Sequence, residues 1–186
     1  MARMPFATFL IICPTSFFLG ILFTNWAYDN HTLWQRSEPS EATLQAIESH
    51  YNMLYLSPPI ISRLLNTIIA TGLLAFISKL YKPSESNLLF DGASLVLYFV
   101  GLVMYLTNIV QGLEIVHVGK YGKEVGRVDS LRVIAASQTI LALVLVGVLA
   151  LQAGQWYAEA KEREEMKAIE EKERRMAEEQ KVVKAE

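Results

Sequence analysis

The sequence predicts an all-α fold: an integral membrane four-helix bundle with a cytosolic helical C-terminal tail. Three observations predict it. Apolar residues make up 52% of the 186 residues, and they fall in blocks rather than at the scattered spacing of a soluble core. Four blocks come close to or exceed the roughly 20 residues an α-helix needs to cross hydrocarbon. The charges gather between and after these blocks, so 1–157 reads as one membrane domain and 158–186 as a charged tail.

The first span is expected over about 6–26. Arg3 before it also suits the start of a secretory signal, but the block is longer than a signal core and no small-x-small cleavage pattern follows. Pro14 interrupts it, with Thr15 and Ser16 alongside to satisfy the freed carbonyl. Trp26 and Tyr28 mark its interface end. A second span, 59–80, has Arg63 near its start, expected to snorkel to the headgroups, and Lys79 and Lys82 at its end. For the third span, 92–110, Asp91 is expected to cap the first turn. The fourth, 131–155, ends in an interfacial anchor of Trp156 and Tyr157.

An even number of spans puts both termini on one side. Lys and Arg counts favour the cytosol for them, eleven against six on the other face. The large loop 27–58 is then lumenal. Within it Leu44, Ile47, Tyr51 and Leu54 recur at helical spacing behind Ser40, a candidate N-cap. This segment is expected to be a short amphipathic helix lying on the membrane face. Four glycines between Gly112 and Gly126 suggest an irregular loop from Gly112 to Ser130. The tail is rich in helix formers and lacks Gly and Pro. Its Glu159–Arg163, Glu170–Arg174 and Glu171–Arg175 pairs have the favourable i,i+4 order. It is expected to continue the fourth helix into solvent.

Several function classes are disfavoured. A net charge of −2 gives no general attraction to nucleic acid. The single Cys13 can form no intrachain disulfide and no Cys-rich zinc site. His31, His50 and His117 have no metalloenzyme spacing, and no phosphate loop or nucleophile elbow is present. No cofactor or metal is therefore expected. The span centres hold no ionisable residue, which argues against ion-coupled transport. They hold neutral polar groups instead, among them Asn66, Thr71, Asn108 and Gln138, and stripes of small residues (Thr67, Thr71, Ala75; Ala150, Gly154, Ala158). Such groups hydrogen-bond or pack closely across helices in lipid.

The ordered series Asn25-Trp26-Ala27-Tyr28-Asp29-Asn30-His31, His50-Tyr51, Tyr81-Lys82-Pro83, Leu106-Thr107-Asn108-Ile109, Val133-Ile134-Ala135-Ala136-Ser137 and Trp156-Tyr157 resembles the fungal endoplasmic-reticulum packaging chaperones for amino-acid permeases. The resemblance covers about 6–157. It implies a non-enzymatic, multi-pass resident of the endoplasmic-reticulum membrane with cytosolic ends. Its partners would be nascent amino-acid permeases, the lipid bilayer and the components of coat-protein-complex-II vesicles. On that reading Asn66, Thr71, Asn108, Gln138 and Gly154 are candidates for client contact. Arg163, Lys167, Arg174 and Arg175 are candidates for coat contact through the tail, where the match to the family is weakest. A tetraspanin-like scaffold and a small neutral-lined channel are the alternatives. The first lacks its Cys-rich loop here.

Overall fold

The computed structural model describes residues 5–81, 85–122 and 125–183, with side chains over 6–81, 88–122 and 125–176. Arg3, Lys82, Lys123, Lys181 and Lys184 of the charge count, and the Lys82-Pro83 pair of the resemblance, lie outside the described side chains. The described residues form six α-helices and one π turn: α1 (Pro5–Leu33), α2 (Glu41–Tyr55), α3 (Pro59–Leu80), α4 (Glu85–Met104), the π turn Tyr105–Val110, α5 (Gln111–Val118) and α6 (Arg127–Val183). Four stretches are long and apolar enough to cross a membrane: Phe6–Leu33, Pro59–Leu80, Leu88–Val118 and Arg127–Met176.

The long helices pack as a ring in the order α1, α3, α4, α6, with α1 and α4 each lying along α6. Three core layers stack along the bundle. Ile11, Ala75, Phe76, Tyr98 and Val148 fill the end nearest the termini, here the proximal end. Phe18, Leu22, Ile109, Leu141 and Leu145 fill the middle. At the distal end α2 closes the core, setting Leu44, Ile47 and Tyr51 against Val116, Leu131 and Ile134.

Several boundaries move relative to the sequence expectation, for physical reasons. Helix α1 does not stop at Trp26 but runs to Leu33. Its polar last turns stay helical because α2 supplies partners for Asn25 and Asp29. The first helix thus carries a buried acid, Asp29, which its expected end had excluded. Pro14 leaves α1 unbroken, and the Thr15 hydroxyl donates to the Ile11 carbonyl at 2.7 Å.

Asp91 is not an N-cap. Helix α4 begins at Glu85, so Asp91 lies within it and is fully buried. Nor is Gly112 the start of a loop. The third rod passes through the π turn and continues as α5 to Val118. A Cβ at Gly112 would stand 2.6 Å from Ile134 Cγ1, so the absent side chain is what lets α5 lie against α6. Gly119 ends α5 with φ +68°, and its amide closes the helix on the carbonyls of Ile115 and Val116. Helix α6 carries the fourth span and the tail as one rod of 57 residues, about 85 Å at 1.5 Å per residue.

Ser40 caps α2 as its position suggests, its Oγ accepting from the Thr43 amide at 3.2 Å. The apolar stripe of α2 faces protein rather than the membrane surface, with Tyr51 and Ile47 almost wholly buried. The same stripe suits either neighbour, and Val116 of α5 with Leu131 and Ile134 of α6 provides the apolar ground.

Candidate functional site

Two polar clusters hold the bundle ends, the proximal one buried and the distal one partly exposed. At the proximal end Lys79 and Asp91 form an ion pair at 2.6 Å, with side-chain exposures of 7% and 0%. Two glutamines of α6, one turn apart, close it into a box. The Lys79 ammonium donates to Gln152 Oε1 and Gln155 Oε1 at 3.1 and 2.9 Å. The Gln152 and Gln155 amides donate to the two oxygens of Asp91 at 3.1 and 2.9 Å, and Gln152 also reaches Ser94. Every charge in the box is answered, which is the condition for tolerating ions in a low-dielectric interior. The sequence flags Lys79 only as a flanking cation and Asp91 only as a cap. Their pairing is a tertiary fact joining α3, α4 and α6.

At the distal end α2 is latched by polar contacts as well as by its apolar face. Tyr51 donates its hydroxyl to buried Asp29. His50 Nε2 donates to Asn25 Oδ1 at 3.1 Å, and its ring stacks on Tyr28 with centroids 3.8 Å apart. His117 meets Asn52 at 2.6 Å and stacks on Tyr55. Arg127 forks onto Glu48 at 2.6 and 2.7 Å and reaches Glu41 at 2.7 Å, while Tyr121 donates to Glu48.

The charge states of α2 follow from these neighbours. Hydrogen bonds from Arg127 hold the carboxyls of Glu48 and Glu41 below the usual carboxylate range. Burial pushes the His50 imidazole down. Burial first, then the Asp29 carboxylate, pushes the Tyr51 phenol well up. Burial and the bond to Glu48 push Tyr121 up to about 12. Burial thus favours the neutral form of His50 in the latch, and among the described residues no three of His, Cys, Asp and Glu group as metal ligands.

The five client-contact candidates divide by position. Asn66 on α3 is exposed, and its side-chain amide has no hydrogen-bond partner among the described residues. Thr71 is half-exposed and gives its hydroxyl to the Thr67 carbonyl at 2.8 Å. Asn108 in the π turn donates to Ser137 of α6 at 3.0 Å. Gln138 is buried beneath α2, close to the Tyr51 phenol, with its Oε1 unpaired. Gly154 faces Phe90, whose ring would stand 3.3 Å from a Cβ there, so its notch is filled from within the bundle. The structure therefore does not gather the five into one patch. Sequence reasoning passed over Gln111 and Glu114 because it ended the third span at Val110. Both are exposed on α5, and their side chains lack partners among the described residues. On the tail, Arg163, Lys167, Arg174 and Arg175 are all exposed, and Arg163 Nε bonds the Glu159 carbonyl at 3.1 Å.

Comparison with known proteins identifies the family of this bundle. The sequence profile of the SHR3 chaperone family, described as ER membrane protein SH3, matches residues 2–186. The chain belongs to that family. It is 26% identical over 148 residues to the secretory component protein psh3 of Schizosaccharomyces pombe, an alignment covering 80% of this chain and 67% of the relative. No solved structure matches the chain. As an SHR3-family member it is a multi-pass membrane protein of the endoplasmic reticulum and a chaperone for the folding and export of permeases, not an enzyme. The scaffold and channel alternatives are set aside with that assignment.

Proposed function

We propose that this SHR3-family chaperone acts on amino-acid permeases by lending temporary polar neighbours to their unassembled helices. A permease builds its substrate path from broken helices and polar surface near the bilayer midplane. Until the matching helices arrive, that surface faces lipid, where unpaired polar groups are costly. The observation that carries the reading is the unpaired amide of Asn66 on the outer face of a helix long and apolar enough to span a membrane. Single hydrogen bonds between helices in lipid are worth about 0.6 kcal/mol on average. Contacts so weak hold a client and still release it once folded.

Asn66 and Thr71 are the candidates open to a client in the closed bundle. Asn108, Gln138 and Gly154 would serve only after exchange of their present partners. The Lys and Arg distribution supports cytosolic termini; on this reading α2 lies in the lumen and the exposed tail of α6 lies on the side where vesicle coats assemble. Arg163, Lys167, Arg174 and Arg175 are its candidate contacts for coat-protein-complex-II components.

Depleting the protein and following cargo tests this. Amino-acid permeases are expected to stay in the endoplasmic reticulum as aggregates while unrelated secretory cargo leaves. A chain truncated after Tyr157 is expected to keep permeases soluble yet leave them poorly packaged. Normal permease traffic in the depleted cells would refute the client assignment, and normal packaging by the truncated chain would refute the role of the tail.

A further inference from the structure

On α3, Arg63 and Asn66 are exposed, and neither side chain has a partner among the described residues. Spaced i,i+3, they share one face. On α5, Gln111 and Glu114 are also exposed, also lack side-chain partners and also share one face. The two pairs are opposite in character: cation and amide on α3, acid and amide on α5.

They also match in depth. Asn66 lies about 10 Å along α3 from its distal start at Pro59, and Gln111 lies about 10 Å along α5 from its distal end at Val118, at 1.5 Å per residue. Arg63 and Glu114 each stand about 6 Å from those same ends. The ends themselves are tied, because His117 of α5 bonds Asn52 and stacks on Tyr55, just before α3 begins. Within one chain the pairs do not meet. Helix α3 packs on α1 and α4 but not along the π turn or α5, and no ion pair joins Arg63 to Glu114.

We propose that, when no client is bound, two copies of this chain associate through the distal halves of α3 and α5. Arg63 and Asn66 of one copy meet Glu114 and Gln111 of the other. The ring order makes the rod ending in α5 the neighbour of α3. A two-fold rotation along the bundle axis therefore sets α3 of one copy opposite α5 of its partner, and does so twice, as an isologous interface requires. A second copy has the same topology, so its complementary groups arrive at the right depth without further adjustment. Pairing gives four exposed polar side chains per chain a protein partner, the amides of Asn66 and Gln111 lying deepest, where an unpaired amide is expensive in lipid. Thr67 and Ala70, small and exposed between Asn66 and Leu74, leave room for close approach. The inference rests on the chaperone reading only in naming the competitor: a client helix displaces the second copy from Asn66.

Charge reversal on two differently tagged full-length copies in native membranes tests it. Wild-type copies are expected to co-purify. R63E alone or E114R alone is expected to reduce co-purification about tenfold, the effect of losing about 1.4 kcal/mol. Co-expressing an R63E copy with an E114R copy should restore it, because each mutant face then meets its complement across the interface. That recovery also shows that neither variant is misfolded. Wild-type copies that never co-purify would overturn the proposal, as would single reversals without effect, the result if lipid headgroups alone satisfy these groups. So would failure of the mixed pair where the R63E/E114R chain recovers, since the pairing would then lie within one chain. Permease export read in the same cells separates this from the chaperone assignment, which stands if export depends on the protein whether or not copies pair.

Discussion

The box around Lys79 and Asp91 shows what a single buried charge does in this bundle. With exposures of 7% and 0%, neither ion can turn to water if its partner is removed. D91N or K79M alone is expected to destabilise the protein by about 3–5 kcal/mol, the usual cost of stranding one buried charge. The double replacement K79M/D91L removes both charges and is expected to recover most of that loss. Thermal unfolding of the detergent-solubilised variants measures both effects, and single variants with wild-type midpoints would show that the box contributes nothing to stability. Little of this was legible in the chain. Gln152 is a polar residue in an apolar helix, but Asp91 and Gln152 are 61 positions apart, and no local pattern joins them. Gly112 is a related case: its role is set by Ile134, whose side chain crowds the space a Cβ would need.

Helix α2 was half legible. Its start at Ser40 and its stripe of Leu44, Ile47 and Tyr51 follow from capping and periodicity alone. Its docking on protein does not, because an amphipathic face pairs equally well with lipid or with neighbouring helices. The latch contacts make this docking sensitive to pH. His50 has its pKa lowered by burial, so the undocked helix takes up a proton before the docked one does. Stability of the docked state is then full above the ordinary value of 6.5 and falls as pH drops below it. Glu48 and Glu41, lowered by Arg127, add a loss that begins as pH falls below their ordinary 4.5. Hydrogen-exchange protection in Glu41–Tyr55, taken relative to the intrinsic exchange rate at each pH, is therefore expected to be lower at pH 5.5 than at pH 7.5, with protection of the α3 and α6 spans unchanged, and the H50Q variant should lose most of that difference. Equal protection at the two pH values would remove His50 from the latch. The span 59–80 coincides with α3, and the boundaries that moved, at the ends of the first and third spans, moved in one direction. The sequence reading ended helices where apolar residues ended, whereas tertiary partners carry α1 to Leu33 and the third rod to Val118.

For the whole molecule, blocks of apolar residues were enough to specify four long helices, because spanning length is a property of each segment by itself, and a run of helix formers specified the tail. Which polar side chains face outward is a property of the assembled ring. Sequence alone could not separate Asn66, which is exposed, from Gln138, which is buried beneath α2. That distinction carries the functional account: a bundle whose buried ion pair is fully answered, with a few unanswered polar groups on its outer surface. The most direct test places a photo-crosslinking residue at Asn66 and arrests an amino-acid permease at increasing lengths during its synthesis. Crosslinks from position 66 to the nascent permease are expected once its first polar helices enter the bilayer, and they should fade when the full set of helices is present. Crosslinks that never reach the permease at any length would contradict the account.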